Sequence, residues 1–438
     1  MNKDRLLRWV TISSLFLVPF NIKKFFLLLT KNETWFPLEF SSIFLYFSEI
    51  IILILFLFLL FKKRKEILQT SMLVWPTLLF FLLSALSILV SDTHILSLFF
   101  CLHLLVSIFF FISIATAISL RIISIRDAMK VLAVSSLLQA EIAILQFINQ
   151  GSIGLRFFGE ETISLLSRNI ARIDVFGSTF IRSYGTFPHP NILGGFLVLG
   201  VVAWIYLFSL PSKQHGIFHR SLSIIGLFVV LVGLLFSFSR SAWIAAAIAL
   251  VSCVVVLFKN KLKHAAREIV LMSMIFAVVL FGVFGWMVFS RGEIKNDSAV
   301  NERVVYVNIA LDMIADYPFG VGFGNGMVRA EQEGRYDSYG LTNKATHQPV
   351  HNIYLLITQE IGVVGIIVFL FSILTLLFYK KRKIHTPDTL FVYIMIVSLL
   401  FVGFFDHYLI TINSGRLMFF LVLGIMAGLL QKNEEKSL

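Results

Sequence analysis

Residues 95–118 read ILSLFFCLHLLVSIFFFISIATAI, an apolar run in which His103 is the only Asp, Glu, Lys, Arg or His. A run of this length crosses a hydrocarbon core of roughly 30 Å as a helix, because each helical residue adds about 1.5 Å. Strands of a membrane barrel would alternate apolar and polar side chains, and this run does not. It therefore predicts a transmembrane helix.

The rest of the chain has the same character. Of its 438 residues, 58% are hydrophobic and only 14% are charged, whereas soluble domains have roughly half and a quarter. We therefore predict an all-α polytopic membrane protein of about 12 transmembrane helices, forming a single domain over residues 1–438. The apolar windows are 7–26, 38–61, 69–91, 95–118, 128–149, 190–210, 222–239, 241–258, 269–289, 352–379, 389–405 and 416–430.

The formal net charge of +12 is concentrated in connectors on one side of the predicted bundle. By the positive-inside rule, that side and both termini are predicted to be cytoplasmic. The N-terminal MNKDRLLRW has no cleavage site, so we interpret it as the start of the first helix. Two long connectors, 150–189 and 290–350, fall on the opposite side and are the predicted sites of chemistry. The basic connectors are 62–65, 121–130, 211–220, 259–267 and 380–383.

Residues 237–243, SFSRSAW, join two predicted helices directly, without a connecting loop between them. Arg240 must therefore lie at the outer rim of the membrane, because a guanidinium near the bilayer centre costs roughly 2.5–3.5 kcal/mol. Two interpretations remain open: an interfacial arginine that reaches lipid phosphates, or an anion site that faces a cavity.

The second long connector contains NERVVYVNIALDMIADYPFGVGFGNG at 301–326. It predicts an amphipathic helix over about 301–316, with a polar stripe at Asn308, Asp312 and Asp316, packed over the bundle. Arg303 would lie in the first turn, near backbone N–H groups that favour anions. The glycine run that follows lacks the Lys-Ser/Thr of a phosphate-binding loop, so it predicts a close backbone turn and no nucleotide site.

In the first long connector, RSYGTFPHPNILGGF at 182–196 supplies a third candidate cation, Arg182. The alternative is a loop arginine paired with Glu160, Glu161 or Asp174. His189 in the same segment is left unassigned.

HQPVHNIYL, residues 347–355, places two histidines four apart. His347 and His351 would share a helix face as half of a zinc site, but Pro349 places the helix start at about 350, and no carboxylate at ligand spacing completes a set. No metal is predicted. A histidine in the first helical turn stays neutral and can accept a proton, which makes His351 a candidate general base; a capping or interfacial histidine is the alternative.

Glu49, His103, Glu141 and Glu360 lie inside apolar runs and should face protein or water. They support an alternative function of another class, a polysaccharide or lipid transporter. Glu360 follows His351 by nine residues, which places it on the opposite helix face, and an interhelix tie is the interpretation we favour.

Three segments follow one another along the chain. They are SRSAW before one predicted helix, ERVVYVNIALDMIADYPFGVGFGNG in the second long connector, and HNIYLLITQEIGVVG at the start of the next predicted helix. Together with RSYGTFPHPNILGGF they resemble the O-antigen ligase and O-antigen polymerase superfamily over about residues 180–375. The resemblance implies a GT-C-like fold and a metal-independent, inverting glycosyltransferase without cofactor. Such an enzyme acts at the outer face of the bacterial cytoplasmic (inner) membrane.

The resemblance also implies roles and partners. Arg240 and Arg303, with Arg182 as a weaker member, would bind the diphosphate of a polyprenyl-linked glycan donor, and His351 would take the proton of an acceptor hydroxyl. Asn352 and Tyr354 are predicted supporting residues. The hairpin has Ser241 where many relatives carry glycine. The expected partners are the donor, a glycan, lipid or protein acceptor and membrane lipids, with no nucleic acid; ligase activity is expected, with polymerase as the alternative.

Overall fold

The computed structural model describes residues 3–28, 42–165, 170–175, 177–210, 217–292, 298–378 and 386–435. Parts of several predicted features lie outside these residues. They are the connector 380–383, residues 211–216 of the connector 211–220, residues 38–41 of the second window, residue 379 of the window 352–379, residues 166–169 and 176 of the first long connector and residues 293–297 of the second.

Most of the described residues are helical, and the helices follow the order of the apolar windows. We number the elements in chain order. The helices are α1 Lys3–Phe16, α2 Phe47–Lys62, α3 Arg64–Leu73, α4 Trp75–Leu86, α5 His94–Ser119, α6 Ile125–Asn149, α7 Pro190–Ser209, α8 Ile217–Phe236, α9 Arg240–Lys259, α10 Lys263–Gly292, α11 Ser298–Asp316, α12 Gly326–Gln332, α13 Arg335–Ser338, α14 Ile353–Phe378, α15 Pro387–Gly403, α16 Tyr408–Thr411 and α17 Asn413–Glu435. The strands are β1 Lys23–Leu28, β2 Ser42–Tyr46, β3 Arg172–Val175 and β4 Ser178–Ile181.

Six helices among the described residues are long and apolar enough to cross a membrane. They are α5, α6, α7, α9, α14 and the part of α17 up to Gln431. A seventh candidate is the bent pair formed by Arg64–Leu73 and Trp75–Val90. The chain is a polytopic membrane protein, and the count of about 12 spans stays a prediction.

Three predicted windows are wrong in extent. The window 38–61 is helical only from Phe47, because β2 occupies Ser42–Tyr46. The window 7–26 is helical only to Phe16, because Pro19 cannot continue a helix and the chain then enters β1. The window 69–91 holds two helices that meet at an angle of 78°. Val74 leaves the helical conformation there, and Pro76 occupies the first turn of α4, where its missing N–H costs no hydrogen bond.

The expectation of an all-α chain is also wrong in detail, because two antiparallel hairpins are present. In the first, β1 pairs with β2 so that Lys23 lies opposite Tyr46. In the second, β3 pairs with β4 within the first long connector. Period-two patterning over four to six residues is too short to stand out within apolar or loop sequence.

The centre of the bundle is formed by α7 and α17, which are almost entirely buried along their candidate spans. Glycines allow close approach here: a Cβ at Gly200 would lie 2.4 Å from Oγ of Ser136 on α6. One end of the bundle brings together the start of α7, the turn before α9, α11, the segment before α14 and residues 404–412. We call it the His351 end.

Candidate active site

His351 lies just outside α14, which begins at Ile353. Asn352 caps the helix, since its Oδ1 accepts the N–H groups of Tyr354 at 2.9 Å and Leu355 at 3.1 Å. The expectation that His351 occupies the first turn is therefore wrong, because the cap follows it. His351 is held instead by packing against other elements.

Two rings contact the half-buried His351 side chain. Tyr306 on α11 stacks on it with ring centroids 5.7 Å apart, and His407 meets it edge to face at 4.9 Å. Nδ1 of His351 is buried and has no hydrogen-bond partner among the described residues. A buried imidazole nitrogen without a protein partner is available to a bound ligand.

Asp406 and His407, between α15 and α16, are the residues that sequence reasoning missed. Asp406 Oδ1 accepts the backbone N–H of His407 at 2.8 Å, and Oδ2 accepts the amide of Asn191 at 2.7 Å. His351, Asp406 and His407 each present a ligand atom within 4.8 Å of the others. The signal was present in FVGFFDHYL at 401–409, where an Asp-His pair follows an apolar run on the predicted outer side.

Burial sets the protonation of this cluster. Desolvation by burial holds the pKa of His351 well below its usual range; His407 and Arg303 add to the effect, and Asp406 opposes it. Desolvation likewise lowers the pKa of His407. For Asp406, burial alone would raise the pKa, but His351, His407 and Arg303 lower it below its usual range. Burial therefore favours the neutral form of both imidazoles, and the positive charge of Arg303 favours the carboxylate form of Asp406.

His189, which the sequence left unassigned, caps α7. Its Nδ1 accepts the N–H of Asn191 at 3.2 Å, so it helps to aim the side chain that contacts Asp406. Burial first, and then Arg182, lower the pKa of His189 to about 3.

Arg303 is half-buried on α11. The expectation that it lies in the first turn is wrong, because the helix begins at Ser298 and Arg303 is its sixth residue. The helix confirms the predicted amphipathic pattern: Asn308, Asp312 and Asp316 are exposed, whereas its apolar face packs against α14. Because Tyr306, one turn further on, stacks on His351, the guanidinium lies close enough to lower the pKa of all three site histidines and of Asp406. The structure therefore brings Arg303 and His351 together.

Arg182 is buried and contacts two residues that the sequence did not indicate as its partners. Its Nε donates to the carbonyl of Ser237 at 2.9 Å, and Nη2 donates to Oδ1 of Asn191 at 2.6 Å. Through these bonds it connects the turn before Arg240 to the amide that contacts Asp406. The amide of Gln146 on α6 fixes the adjoining loop by accepting the N–H groups of residues 184 and 185.

Arg240 is the first residue of α9 and is half-buried. The tight turn before it has Phe238 at φ +48° and packs on α7, where a Cβ at Gly194 would lie 3.1 Å from Cβ of Ser239. The predicted hairpin is therefore confirmed, and Arg182 connects it to the His351 end.

The two predicted supporting residues join α14 to the segment that carries Asp406. Asn352 Nδ2 donates to the carbonyl of Phe404 at 3.2 Å, and the Tyr354 hydroxyl donates to the carbonyl of Leu400 at 2.8 Å. The Tyr354 ring also packs on Phe404 at 4.4 Å. Both residues therefore fix the distance between His351 and Asp406.

His347 has a different environment from His351. It is buried, its ring stacks on Tyr336 with centroids 4.1 Å apart, and its nitrogens contact Glu331 and, at 2.7 Å, the carbonyl of Leu341. These contacts hold in place the loop that contains α12 and α13.

Glu360 confirms the predicted tie. Its carboxylate accepts the N–H groups of Gly324 at 2.8 Å and Gly326 at 3.2 Å, so the glycine run docks on α14 as a backbone turn. The helix itself is interrupted at Gly362 (φ +85°, ψ 178°), where the turn packs against it.

The cluster also bears on metal binding. The expectation that no carboxylate completes a histidine set is wrong in three dimensions. Asp406 and His407 follow His351 by more than fifty residues in sequence, yet the three side chains lie close together. Each Asp406 oxygen already accepts one hydrogen bond, His407 Nδ1 lies 2.7 Å from the Thr411 hydroxyl, and Arg303 acts electrostatically on all three residues. The charge of Arg303 disfavours a bound cation at this place, whereas the Asp406 carboxylate favours one.

Residues 225–370 match the sequence model of the O-antigen ligase family. The matched region contains SFSRSAW, NERVV and HNIYL and so confirms the resemblance to the O-antigen ligase and polymerase superfamily; Arg182, Asp406 and His407 lie outside it. No curated protein matches the chain. The family match indicates a membrane enzyme of the O-antigen ligase or polymerase type.

Proposed function

We propose that this chain is an inverting glycosyltransferase of the O-antigen ligase type. It transfers a glycan from an undecaprenyl-diphosphate-linked donor to an acceptor hydroxyl at the outer face of the bacterial inner membrane, with both termini in the cytoplasm. The observation that carries the proposal is Nδ1 of His351, a residue of the matched region: it is buried, has no hydrogen-bond partner among the described residues, and lies in a cluster with Asp406 and His407.

In this proposal His351 is the general base. As the acceptor oxygen attacks the anomeric carbon, its proton passes to His351, and the bond from that carbon to the diphosphate oxygen breaks with its electron pair on the leaving group. Direct displacement inverts the anomeric configuration. General base catalysis of this kind contributes roughly 10²–10⁴ in rate. The Asp406 carboxylate stabilises the imidazolium that forms.

In this proposal the arginines act on the diphosphate leaving group. Arg303 and Arg240 bind its oxygens and offset the charge that develops as it leaves, through charge-assisted hydrogen bonds of roughly 1.5–3 kcal/mol each. Arg182 takes a positioning role here, because its Nε and Nη2 already bind Ser237 and Asn191. We propose that no metal takes part, since guanidinium groups supply the positive charge.

A polymerase is the alternative with the same donor chemistry, differing only in the acceptor. The glycan profile of a deletion strain separates the two. Lipid-linked chains of full length that stay unattached indicate a ligase, whereas a single attached repeat indicates a polymerase.

Three of the four residues that motivate the transporter alternative have structural partners. Glu49 contacts His103 and Glu360 holds the glycine turn, so each has a structural partner. Glu141 is exposed on α6. Substrate movement across vesicles that survives loss of His351 and both rim arginines would favour the transporter.

The test is transfer from a purified lipid-diphosphate donor by alanine variants. We expect His351→Ala to reduce kcat at least 100-fold, Arg240→Ala and Arg303→Ala to impair donor use, and an excess of EDTA to leave the wild-type rate unchanged. The exposed His264 and Arg156 provide matched controls, His264→Ala and Arg156→Ala, which should behave as wild type. Full activity of His351→Ala rules out the base, and loss of transfer in EDTA that added zinc restores rules out the metal-free mechanism.

A further inference from the structure

A groove of about 420 Å³ lies between α1 and α6, and its volume is within the range of small-molecule sites in proteins. It lies near the start of α6, about four turns before Gln146, which contacts the loop at the His351 end. Apart from Ser13 and Lys130, the groove presents apolar side chains, so it suits a hydrocarbon chain. The lining residues are Trp9, Ile12, Ser13, Phe16 and Leu17 on one side and Lys130, Val131 and Val134 on the other.

Three exposed cations surround one end of this groove. Arg8 Nη2 lies 3.2 Å from Oδ1 of Asp127 and thereby joins α1 to the first turn of α6. Lys130 follows Asp127 by one turn and Arg5 precedes Arg8 by one turn, and both side chains are exposed. Two acids, Asp4 and Asp127, lie at the same end, and Asp127 is also held in the capping box of α6. Three positive charges against two negative ones leave this end net positive.

The rest of the groove is apolar and open to the surroundings of the bundle. Trp9 is 54% exposed and lies near the charged end, and indole rings are favoured at the boundary between lipid headgroups and hydrocarbon. Phe16 and Leu17 lie two turns further along the chain, and Val134, also 54% exposed, faces the same groove from α6. A positive end that continues into an apolar length of about 12 Å matches the two parts of an anionic phospholipid.

We propose that this groove binds one anionic phospholipid. An acyl chain lies along Phe16, Leu17 and Val134, and the phosphate lies at Lys130 near the positive charge of Arg8. Basic pockets between membrane helices recognise acidic headgroups in this way. The charge pattern of the connectors predicts that the lipid comes from the cytoplasmic leaflet, so the site is separate from the transfer chemistry at the His351 end.

The bound lipid also has a structural effect. Among the described elements, α1 packs chiefly against α2 and α6, and its 14 residues reach only about 21 Å, short of the roughly 30 Å of a hydrocarbon core. A chain that fills the groove contacts both α1 and α6. The lipid therefore stabilises the docking of the N-terminal helix on the bundle.

The first experiment measures lipid selectivity by native mass spectrometry of the full-length protein in detergent. The probes are phosphatidylglycerol and phosphatidylcholine with the same acyl chains. We expect one bound phosphatidylglycerol with at least fivefold higher affinity than phosphatidylcholine. Lys130→Gln should lower the phosphatidylglycerol affinity about fivefold, the usual effect of one basic residue near a membrane surface, and leave phosphatidylcholine binding unchanged.

Lys259→Gln is the matched control, because Lys259 is an exposed lysine at the end of α9. It should bind both lipids as the wild type does. Equal wild-type affinity for the two lipids, which is the behaviour of unselective lipid around a membrane protein, overturns the proposal. Wild-type phosphatidylglycerol affinity in Lys130→Gln overturns it as well.

A second variant tests the groove itself. Ser13→Phe places a ring in the space assigned to the acyl chain, and we expect it to lower the affinity for both lipids about tenfold, as the loss of roughly two buried methylene groups would. Val251→Phe, at a position of α9 that is 60% exposed, is the control and should change nothing. Unchanged lipid binding by a folded Ser13→Phe rejects the groove as the site.

Thermal unfolding in detergent provides a readout other than mass. Added phosphatidylglycerol should raise the Tm of the wild type and of Val251→Phe with increasing lipid concentration, and should raise that of Ser13→Phe much less. An equal rise in all three proteins contradicts the proposed site. Where Ser13→Phe does not fold, the comparison of Lys130→Gln with Lys259→Gln decides the question.

Discussion

Individual residues at the His351 end are tuned chiefly by burial. Desolvation lowers the pKa of His351 more than any neighbouring charge does, with His407 and Arg303 acting in the same direction and Asp406 against it. A lowered pKa keeps the imidazole neutral, which is the form that accepts a proton. Arg303 therefore has two effects in the proposed reaction, since it binds the leaving diphosphate and keeps the base unprotonated.

The pH dependence of transfer follows from the direction of the pKa shift of His351. Because the pKa of His351 lies well below 6.5, we expect kcat/KM to stay level from pH 8 to about 6 and to fall only at lower pH, as the base becomes protonated. Replacing Arg303 with glutamine removes a charge that lowers this pKa, so the fall should begin at a higher pH. The measurement is the transfer rate across pH 4.5–8.

Arg303→Lys is the control for charge, because it keeps the positive charge while losing the guanidinium fork. It should weaken donor use and leave the position of the acidic fall unchanged. An acidic fall at the same pH in wild type and Arg303→Gln would contradict the electrostatic role of Arg303.

At the scale of elements, the break in α14 positions α11. The N–H groups of Val321 and Gly322 donate to the carbonyls of residues 359 and 360, and the N–H of Val363 donates to the Pro318 carbonyl. The glycine turn is thus joined to the interrupted helix by backbone hydrogen bonds, as a short strand would be. Because that turn follows α11 directly, it fixes the C-terminal end of the helix, whose N-terminal part carries Arg303 and Tyr306.

Gly362→Ala should therefore destabilise the protein and impair transfer. At φ +85° an alanine is strained, and its Cβ would lie 2.6 Å from the carbonyl carbon of Phe319. We expect a loss of about 1–3 kcal/mol, seen as a lower unfolding temperature in detergent, together with reduced donor use through displacement of Arg303. Gly282→Ala on α10, where an added Cβ meets nothing within 4 Å, is the control and should be neutral or slightly stabilising. Equal stability of the two variants would argue against docking at the break.

The whole molecule brings the candidate site residues together at one end of a bundle centred on α7 and α17. His189 at the start of α7 and Asp406 before α17 reach the same end as His351, although they are distant in sequence. The charge pattern predicts that this end faces out of the cell. Cys101 and Cys253 are both buried, so the chain offers a low background for labelling engineered cysteines.

The predicted orientation is testable with a membrane-impermeant maleimide. Ser338→Cys lies in the second long connector and Lys65→Cys in a predicted cytoplasmic connector, and both positions are exposed. We expect labelling of Ser338→Cys in intact spheroplasts, and of Lys65→Cys only after lysis. The wild-type chain should stay unlabelled in both conditions. The reverse pattern would place the His351 end in the cytoplasm and remove the lipid-linked donor from reach.

The sequence alone determined what depends on local composition and spacing. Apolar length predicted the membrane helices, period 3.6 predicted the face of α11, and the order of motifs predicted the family that residues 225–370 match. These properties need only residues close in the chain. For the same reason the sequence singled out Arg240, Arg303 and His351, each within a recognisable motif.

Tertiary structure decided which groups meet. Asp406 and His407 join His351, and Arg182 contacts Ser237 and Asn191 on neighbouring elements. The bend at Val74 and the break at Gly362 likewise interrupt apolar runs that read as continuous helices. The physical reason is common to all of these: burial and long-range packing select hydrogen-bond partners and set pKa values through neighbours that sequence separation does not reveal.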